Sequence, residues 1–359
     1  MKYRHLELLG LKTISADGTE PLDIDLSDPI SRIIIDLRVT NGAGGDADGH
    51  PLEAVTNIEL VDGSELLFGL TGMCTQALDI YCSGEFPRGG WFNYLPTTDT
   101  EIHVAIDFGR FLFDPLLALD PKQFRNLQLK VTHDISAGGM NPSQCKLAIY
   151  AEVFDEKIIT PVGFLMSKEI KTWSGTSGSH EYTDLPVDFP YRKLLIQGLK
   201  RGSPPNWVLD LIKLSEDQDK KVVLNDHFRD IMFGMGRKNA FIRELLTSTG
   251  VASKRTNYCT PSMDVMGIAN QWRNDTDGGD VATYNGDGGQ YEFYCELAQN
   301  TVHHISGWAP HGVLCIPFGD QMDIDDWYDV SNIGSLKLDV KDGQSTTTSK
   351  VFIQQLRSY

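Results

Sequence analysis

The histidines His303, His304 and His311 are the residues of this sequence that could together bind a transition-metal ion. Imidazole nitrogens are common zinc ligands, but all ligands must converge on one point. His303 and His304 are adjacent, and adjacent side chains on a strand point to opposite faces of the sheet. We therefore expect packed or solvated histidines and predict no metal site.

Two aspartate-rich loops, Asp46–Gly49 and Asp275–Asp280, faintly resemble calcium-binding loops. A calcium loop of the EF-hand type that began at Asp275 would need an oxygen ligand at Gly279 and a glutamate at Gly286. Neither glycine can supply that ligand. Aspartate followed by glycine is typical of tight turns, and we interpret both loops in that way.

Motifs for covalent catalysis and for cofactor binding are absent from the sequence. The pattern nearest to a Gly-x-Ser-x-Gly nucleophile elbow is Gly-Thr-Ser-Gly around Ser177. The chain has no phosphate-binding P-loop, no Gly-x-Gly-x-x-Gly motif, and no His-x-His pair of the kind that cupin metalloenzymes require. Acidic residues are too abundant for any two to stand out as acid and base. We predict no enzyme activity, no catalytic residue and no cofactor.

Composition and charge narrow the possible partners. Of the 359 residues, 41% are hydrophobic and 23% charged, which is ordinary for a folded globular protein. The formal charge of −17 repels phosphate backbones, so we expect no direct nucleic-acid binding. No apolar run is long enough for a membrane helix, and the opening residues do not form a signal peptide, so we expect folding in a reducing cytoplasm. The cysteines are scattered, and we predict buried free thiols: Cys74, Cys82, Cys145, Cys259, Cys295 and Cys315.

The dominant local pattern is alternation of apolar and polar residues. It occurs at Ile33–Thr40, Ile102–Phe108 and Leu127–Thr132, and it predicts strands with one buried face. Asparagine-glycine, aspartate-glycine and glycine-glycine turn signals separate these runs. The best helical pattern covers Asp226–Leu246, where Gly234 and Gly236 leave two shorter helices as an equal alternative. Asp120-Pro121 predicts a short helical turn.

The two halves of the chain repeat the same order of strands. Phe108-Gly109 and Phe318-Gly319 each end a strand and lie 210 residues apart, and an alternating Leu-x-Leu-x-Val strand follows each of them. Further pairs agree with one duplication: Ile33–Val39 with Lys193–Leu199, Ile58–Leu60 with Ile212–Leu214, and Lys146–Val153 with Lys350–Leu356. The second copy is longer by about 56 residues. Between the copies, Ser174–Ser179 is either a linker or a surface loop.

This pattern resembles the double jelly-roll major capsid proteins of tailless icosahedral viruses, the lineage of membrane-containing phages and the adenovirus hexon. The resemblance rests on Phe108-Gly109 with Leu127–Val131, and on Ile316–Gly319 with Leu336–Val340. It implies an all-β fold of two tandem eight-stranded antiparallel jelly rolls with few short helices. We predict an N-terminal arm at 1–29, a first jelly roll at 30–173, a linker at 174–190, and a second jelly roll at 191–359 with an insertion at about 216–311.

The resemblance also implies partners and a location. Three copies would form a pseudo-hexagonal trimer in a virion shell, in contact with neighbouring capsomers and with penton or minor proteins. The basic opening residues Lys2, Arg4 and His5 either face an internal viral membrane or form an exposed, disordered tip.

Two other classes of function remain open at this stage. A jelly roll can also be a carbohydrate-binding or receptor-binding module, with Asn41–His50 and Asn274–Gln290 as the binding loops. A polysaccharide-acting enzyme would need two carboxylates on either side of the scissile bond, and no spacing selects them.

Overall fold

Alternating apolar residues form strands in almost every part of the chain. The computed structural model describes residues 2–44, 47–84, 91–139, 144–234, 241–249, 254–271, 281–294 and 300–359. The elements of the first half are β1 (Tyr3–Ile14), β2 (Gly18–Asp23), β3 (Ile30–Thr40), β4 (Val55–Asp62), β5 (Glu65–Leu70), α1 (Gly72–Ser83), β6 (Trp91–Tyr94), β7 (Asp99–Asp107), β8 (Leu127–His133) and β9 (Gln144–Phe154).

The second half contains more elements, because it carries an insertion. They are β10 (Gly163–Trp173), β11 (His180–Leu185), β12 (Tyr191–Leu199), α2 (Pro205–Val208), β13 (Leu209–Glu216), β14 (Lys221–His227), α3 (Phe228–Gly234), β15 (Ile242–Thr249), β16 (Lys254–Tyr258), β17 (Pro261–Gln271), β18 (Val281–Asp287), β19 (Gln290–Tyr294), β20 (Asn300–Pro310), β21 (Val313–Pro317), β22 (Leu336–Asp342) and β23 (Thr348–Ser358). None of the helices in the described ranges is long and apolar enough to cross a membrane.

Each half builds two four-stranded sheets in the same order. In the first lobe the orders are β1-β9-β3-β7 and β2-β8-β4-β5, and in the second they are β10-β23-β12-β21 and β11-β22-β13-β14. Strand for strand, β10 takes the place of β1, β12 of β3, β21 of β7 and β23 of β9. The helices correspond as well, because α1 follows β5 and α3 follows β14. This confirms the predicted fold of two tandem eight-stranded units.

The register of the duplication differs from the predicted one by a single residue. The register shifts between Ile30 and Arg32 in β3, and between Tyr191 and Lys193 in β12. Arg32 and Lys193 therefore occupy equivalent positions. Ile33 is therefore equivalent to Leu194, and both point into a core. The sequence alignment paired Ile33 with Lys193, which would place a core residue opposite an outward-facing one.

The two lobes share one continuous sheet. β10 pairs with β5 in parallel at Ser167 and Lys168, which joins the β2-β8-β4-β5 sheet to the β10-β23-β12-β21 sheet. Ladders within each lobe are far longer, since β10 pairs with β23 from Gly163 to Trp173. The two lobes thus form one body with two cores.

The insertion of the second lobe forms a sheet of its own. Strands β15–β20 are ordered β16-β19-β18-β17-β20-β15, and β6 of the first lobe completes the sheet by pairing in parallel with β15. The insertion thus runs from β15 to β20, and it begins after α3 instead of near residue 216. Residues 216–234 belong to β13, β14 and α3, which have counterparts in the first lobe.

The predicted boundaries also differ from the structure at both lobes. Residues 1–29, predicted as an arm, supply β1 and β2, which pair with β9 and β8. Residues 163–173, predicted to end the first jelly roll, form β10 of the second lobe. The predicted linker at 174–190 contains β11, which pairs with β22. Periodicity shows that a segment is a strand, but not which strand it pairs with.

The helix predicted over Asp226–Leu246 is wrong for most of its length. Only Phe228–Gly234 is helical, and residues 235–240 lie outside the described residues. Beyond them β15 alternates, with Ile242, Glu244 and Leu246 buried. The short turn after Asp120 is confirmed, since the Asp120 carboxylate accepts a hydrogen bond from the Lys122 amide at 3.1 Å.

The prediction of buried cysteines is confirmed within the described residues except at Cys82, which is only partly buried. Cys74, Cys82, Cys145 and Cys259 are free thiols, and Cys315 is buried in β21. Cys295 lies outside the described residues.

Candidate assembly site

Helix α1 of the first lobe lies against the outer face of the β10-β23-β12-β21 sheet of the second lobe. The Tyr81 hydroxyl donates a hydrogen bond to the Val313 carbonyl at 2.7 Å. Gln76 Oε1 lies 2.6 Å from His311 Nε2, and the Cys74 thiol lies 3.6 Å from Gln197 Oε1. The helix begins after Thr71, whose hydroxyl accepts from the Cys74 amide, and ends at Gly84, where φ is 72°. α1 thereby joins the two lobes.

Strand β12 is buried on both faces because of this contact. Leu194 and Ile196 point into the core of the second lobe, whereas Leu195 packs in the cluster that extends from the first lobe. Lys193 and Gln197 point to the same side as Leu195, and both are buried. A strand with one polar face in its sequence is therefore fully covered in the fold.

The counterparts of these two surfaces, a sheet face of the first lobe and a helix of the second lobe, are partly exposed. The outer face of the β1-β9-β3-β7 sheet, which we call the first-lobe face, is only partly buried at Arg32, Ile34, His103, Ala105, Tyr150 and Glu152. Their counterparts in the second lobe are all buried: Lys193, Leu195, Val313, Cys315, Phe352 and Gln354. Helix α3, the counterpart of α1, exposes Arg229, Asp230 and Phe233, and the Phe233 side chain is 47% exposed. Within the described part of the chain, one helix-on-sheet interface is therefore formed, and the two surfaces of the equivalent interface are not joined to each other.

A buried polar cluster joins both lobes to the inserted sheet. The rings of His50 and His311 lie 4.7 Å apart, and His50 Nε2 lies 3.3 Å from the Thr260 hydroxyl. Burial lowers the pKa of His311 to about 3 and holds the pKa of His50 well below its ordinary value, and the nearby Arg201 guanidinium lowers both further. Arg201 forms an ion pair with Glu53. Both histidines are therefore neutral at physiological pH.

The inserted sheet contributes a buried carboxyl to the same region. Glu244 Oε1 accepts a hydrogen bond from the Thr260 amide at 3.0 Å. Burial raises the pKa of Glu244 to about 8. The carboxyl is thus mostly protonated at neutral pH, and a neutral group is cheaper to bury than a charged one.

The two Phe-Gly motifs form equivalent loops that lie near each other, since Arg110 after the first motif donates to the Met322 carbonyl after the second. A Cβ atom at Gly109 would lie 2.6 Å from the Leu117 carbonyl, and one at Gly319, where φ is 64°, would meet the Asp326 carbonyl. A carboxylate closes each loop: Asp114 accepts from the Arg110 amide at 3.2 Å, and Asp326 from the Asp320 amide at 2.6 Å. Close backbone approach explains the glycine in both motifs.

The residues that the sequence singled out do not converge. His303 is buried with its pKa lowered to about 3 by desolvation, whereas His304 on the same strand is exposed. His311 lies in the polar cluster described above. The Ser177 hydroxyl donates to the Gly343 carbonyl at 3.0 Å. Asp46 and the loop Asp275–Asp280 lie outside the described residues.

Among the described residues, one cluster could converge on an ion, and no motif in the sequence indicates it. Asp36 on β3 and Glu101 and His103 on β7 come together through strand pairing. The Arg38 guanidinium lies between the carboxylates, 2.9 Å from Asp36 and 3.2 Å from Glu101. This cation already compensates the acids, so we interpret the cluster as an ion-pair network on the first-lobe face.

Comparison with known proteins places the fold. No family model and no curated protein matches the chain. Among solved structures, a chain of Sulfolobus turreted icosahedral virus is 11% identical with a TM-score of 0.60, covering 99% of this chain and 90% of that one. The major capsid protein P2 of bacteriophage PM2 is 12% identical with a TM-score of 0.55, covering 99% and 98%. The protein VP54 of PBCV-1, fitted into a reconstruction of the virophage Sputnik, is 11% identical with a TM-score of 0.55, covering 99% and 93%. The chain has their fold, a double jelly roll.

Proposed function

We propose that this chain is the major capsid subunit of an icosahedral virus and that it assembles as a closed trimer. The observation that carries the proposal is that α3 and the first-lobe face are partly exposed, although they are the counterparts of surfaces already joined within the chain. The fold, shared with capsid proteins across almost the whole chain, supports the same conclusion.

Repeating the internal junction between copies generates a ring. In the chain, the helix of lobe one covers the sheet of lobe two. If α3 of one copy covers the first-lobe face of the next copy, every contact is head-to-tail, and such contacts close into a ring when the rotation permits. Three copies would give six similar lobes around the axis. Many such tiles then add up to a shell through multivalent contact.

The chemistry of both surfaces suits a protein contact. The first-lobe face carries Ile34, Ala105 and Tyr150 in its middle, and α3 offers Phe233. Aromatic and aliphatic anchors within a charged rim are typical of protein interfaces. Arg229 and Asp230 beside Phe233 provide that rim on α3.

Light scattering coupled to size-exclusion chromatography tests the trimer. The molar mass measured for the wild-type protein should be three times that of one chain. Ile34→Glu and Phe233→Glu should each produce a monomer, because a charge would be buried in the new interface. Val222→Glu, at an exposed position of β14, is the matched control and should leave the trimer intact.

Circular dichroism separates a lost interface from a lost fold. Both interface variants should retain the spectrum of the wild-type chain. A wild-type chain that stays monomeric at high concentration would overturn the capsid proposal. A trimer that both variants leave unchanged would overturn the assignment of these surfaces while leaving the trimer standing.

The remaining features of the proposal concern partners and boundaries. We propose a structural role in the virion without catalysis, with neighbouring capsomers and penton or minor proteins as partners. Arg4 is paired with Asp28 and His5 with Glu152, both at 2.8 Å. Because these carboxylates compensate the positive charge, the opening residues would attract anionic membrane lipid less strongly. We place the boundary between the lobes at residues 155–162, between β9 and β10.

A further inference from the structure

A cavity of about 510 Å³ lies between the lobes, beside the second Phe-Gly loop. Three cations line it: Arg110 of the first lobe and Arg192 and Lys193 of β12. Asp114 pairs with Arg110 at 2.7 Å, so that charge is compensated. Asp320 is the one carboxylate among the lining residues, and one of its oxygens accepts from the Met322 amide at 2.9 Å.

Arg192 and Lys193 are buried without carboxylate partners in the described part of the chain. Their exposed fractions are 2% and 3%. Arg192 donates to Gln354 Oε1 at 3.0 Å, and Lys193 donates to the Tyr81 carbonyl at 3.0 Å. Both cations also contact the Cys82 sulfur, at 3.7 and 3.1 Å. The Nε atom of Arg192 is buried and has no hydrogen-bond partner among the described residues. Buried charges are costly unless they are paired, so this arrangement has an unmet need for negative charge.

The first lobe shows how the same position is balanced elsewhere in the chain. Arg32, the counterpart of Lys193, donates two hydrogen bonds to Asp107, at 2.5 and 3.0 Å, and faces Glu152 across β9. In the second lobe the residues opposite Lys193 are Pro317 and Gln354. Both carboxylates are thus replaced by uncharged residues.

We propose that this cavity is a binding site for a small inorganic oxyanion of the phosphate or sulfate type. The anion takes the place that Asp107 and Glu152 hold in the first lobe. Arginine presents a planar array of N–H donors that suits oxyanions, and Lys193 adds a compact charge beside it. The cavity also has room for water around the anion. This site is independent of the trimer contacts, which lie on α3 and the first-lobe face.

Calorimetric titration of the full chain with sodium phosphate, at constant ionic strength in an oxyanion-free buffer, tests the site. Wild-type protein should bind one phosphate per chain, and phosphate should raise the unfolding temperature more than chloride does. Lys193→Met should weaken binding about tenfold or more, as expected for the loss of a charge-assisted hydrogen bond. Lys168→Met, which removes a lysine of β10 in the same sheet that pairs with Asp188 outside the cavity, should bind like wild type.

A second variant restores the missing carboxylate. Gln354→Glu places an acid 3.0 Å from Arg192, where the first lobe has Glu152. This variant should lose phosphate binding and, in phosphate-free buffer, unfold at a higher temperature than wild type. Equal phosphate affinity in wild type and both cavity variants would overturn the proposal. So would variants that change the oligomeric state without changing phosphate affinity, because a carboxylate of a second copy would then be the occupant.

Discussion

At the scale of single residues, Glu244 shows how the fold tolerates an acid in its interior. Its carboxyl is fully buried at the inserted sheet and accepts one backbone hydrogen bond, from Thr260. The other oxygen has no hydrogen-bond partner in the part of the chain that the structure describes. With its pKa raised to about 8, the folded protein holds a proton on Glu244 that the unfolded chain releases near pH 4.5.

This linkage predicts a stability that falls as pH rises. Between about pH 4.5 and 8 the folded state binds more protons at Glu244 than the unfolded state does, so the free energy of unfolding declines by about 1.4 kcal/mol per pH unit. Glu244→Gln removes this term. We expect the variant to be more stable than wild type at pH 8, by about 2–5 kcal/mol, and to differ little near pH 5.

Thermal unfolding from pH 5 to 9 measures the effect. Glu65→Gln, at an exposed position of β5, is the control and should keep the wild-type slope. An unchanged slope in Glu244→Gln would show that the carboxyl is ionised in the folded protein.

At the scale of elements, the two Phe-Gly loops have the sharpest steric requirement. Gly109→Ala would bring a methyl group within 2.6 Å of the Leu117 carbonyl and 2.7 Å of the Asp114 side chain. Since Asp114 also holds Arg110, the loop has little freedom to move aside. We expect a loss of about 1–3 kcal/mol in the free energy of unfolding.

Urea denaturation followed by tryptophan fluorescence checks this expectation. Gly44→Ala is the control, because none of the described residues lies within 4 Å of a Cβ atom at that glycine. Equal urea midpoints for the two variants would mean that the Gly109 loop adjusts without cost.

Elements with one buried face were predictable, and those buried on all sides were not. The alternation in β3, β7 and β8 gave correct strands because one face of each is apolar and the other polar. Helix α1 was missed altogether: it is buried nearly all round between the lobes, so its sequence has no polar face. The helix predicted across residues 226–246 failed because apolar residues of α3 and β15 happened to match a helical spacing.

The candidate sites depend on the pairing of strands that are distant in the sequence, and the sequence pattern does not predict that pairing. Asp36, Glu101 and His103 are neighbours only because β3 pairs with β7 in one register. Arg192 and Lys193 are adjacent in sequence, but their burial requires α1 of the other lobe. The duplication was visible, whereas the assignment of β10 to the second lobe was not, because an alternating pattern names no partner.

At the scale of the whole molecule, two neutral histidines lie where the parts meet, and a third lies within the inserted sheet. His50 comes from the first lobe, His303 from the inserted sheet, and His311 from the turn that leads into β21. All three are buried and have lowered pKa values, chiefly because burial disfavours the charged imidazolium. The junction that holds the chain as one body is therefore sensitive to acid.

The sign of this effect is opposite to that of Glu244. A histidine with a lowered pKa leaves stability intact above about pH 6.5 and removes it as pH falls towards about 3, where the folded protein finally takes up the proton. His303 and His311 should each cost about 1.4 kcal/mol per pH unit in that window, and His50 should act in the same direction. His311→Asn loses the contact with Gln76, so it should be less stable than wild type at pH 7, yet its stability should decline less steeply between pH 6.5 and 4. His180→Asn, which removes an exposed histidine paired with Asp339, should keep the wild-type slope.

Urea unfolding at half-unit pH steps measures both slopes. If His311→Asn and wild type decline in parallel, His311 is not buried neutral in the folded protein, and the contact between α1 and the second lobe must be looser than the 2.6 Å between Gln76 and His311 implies.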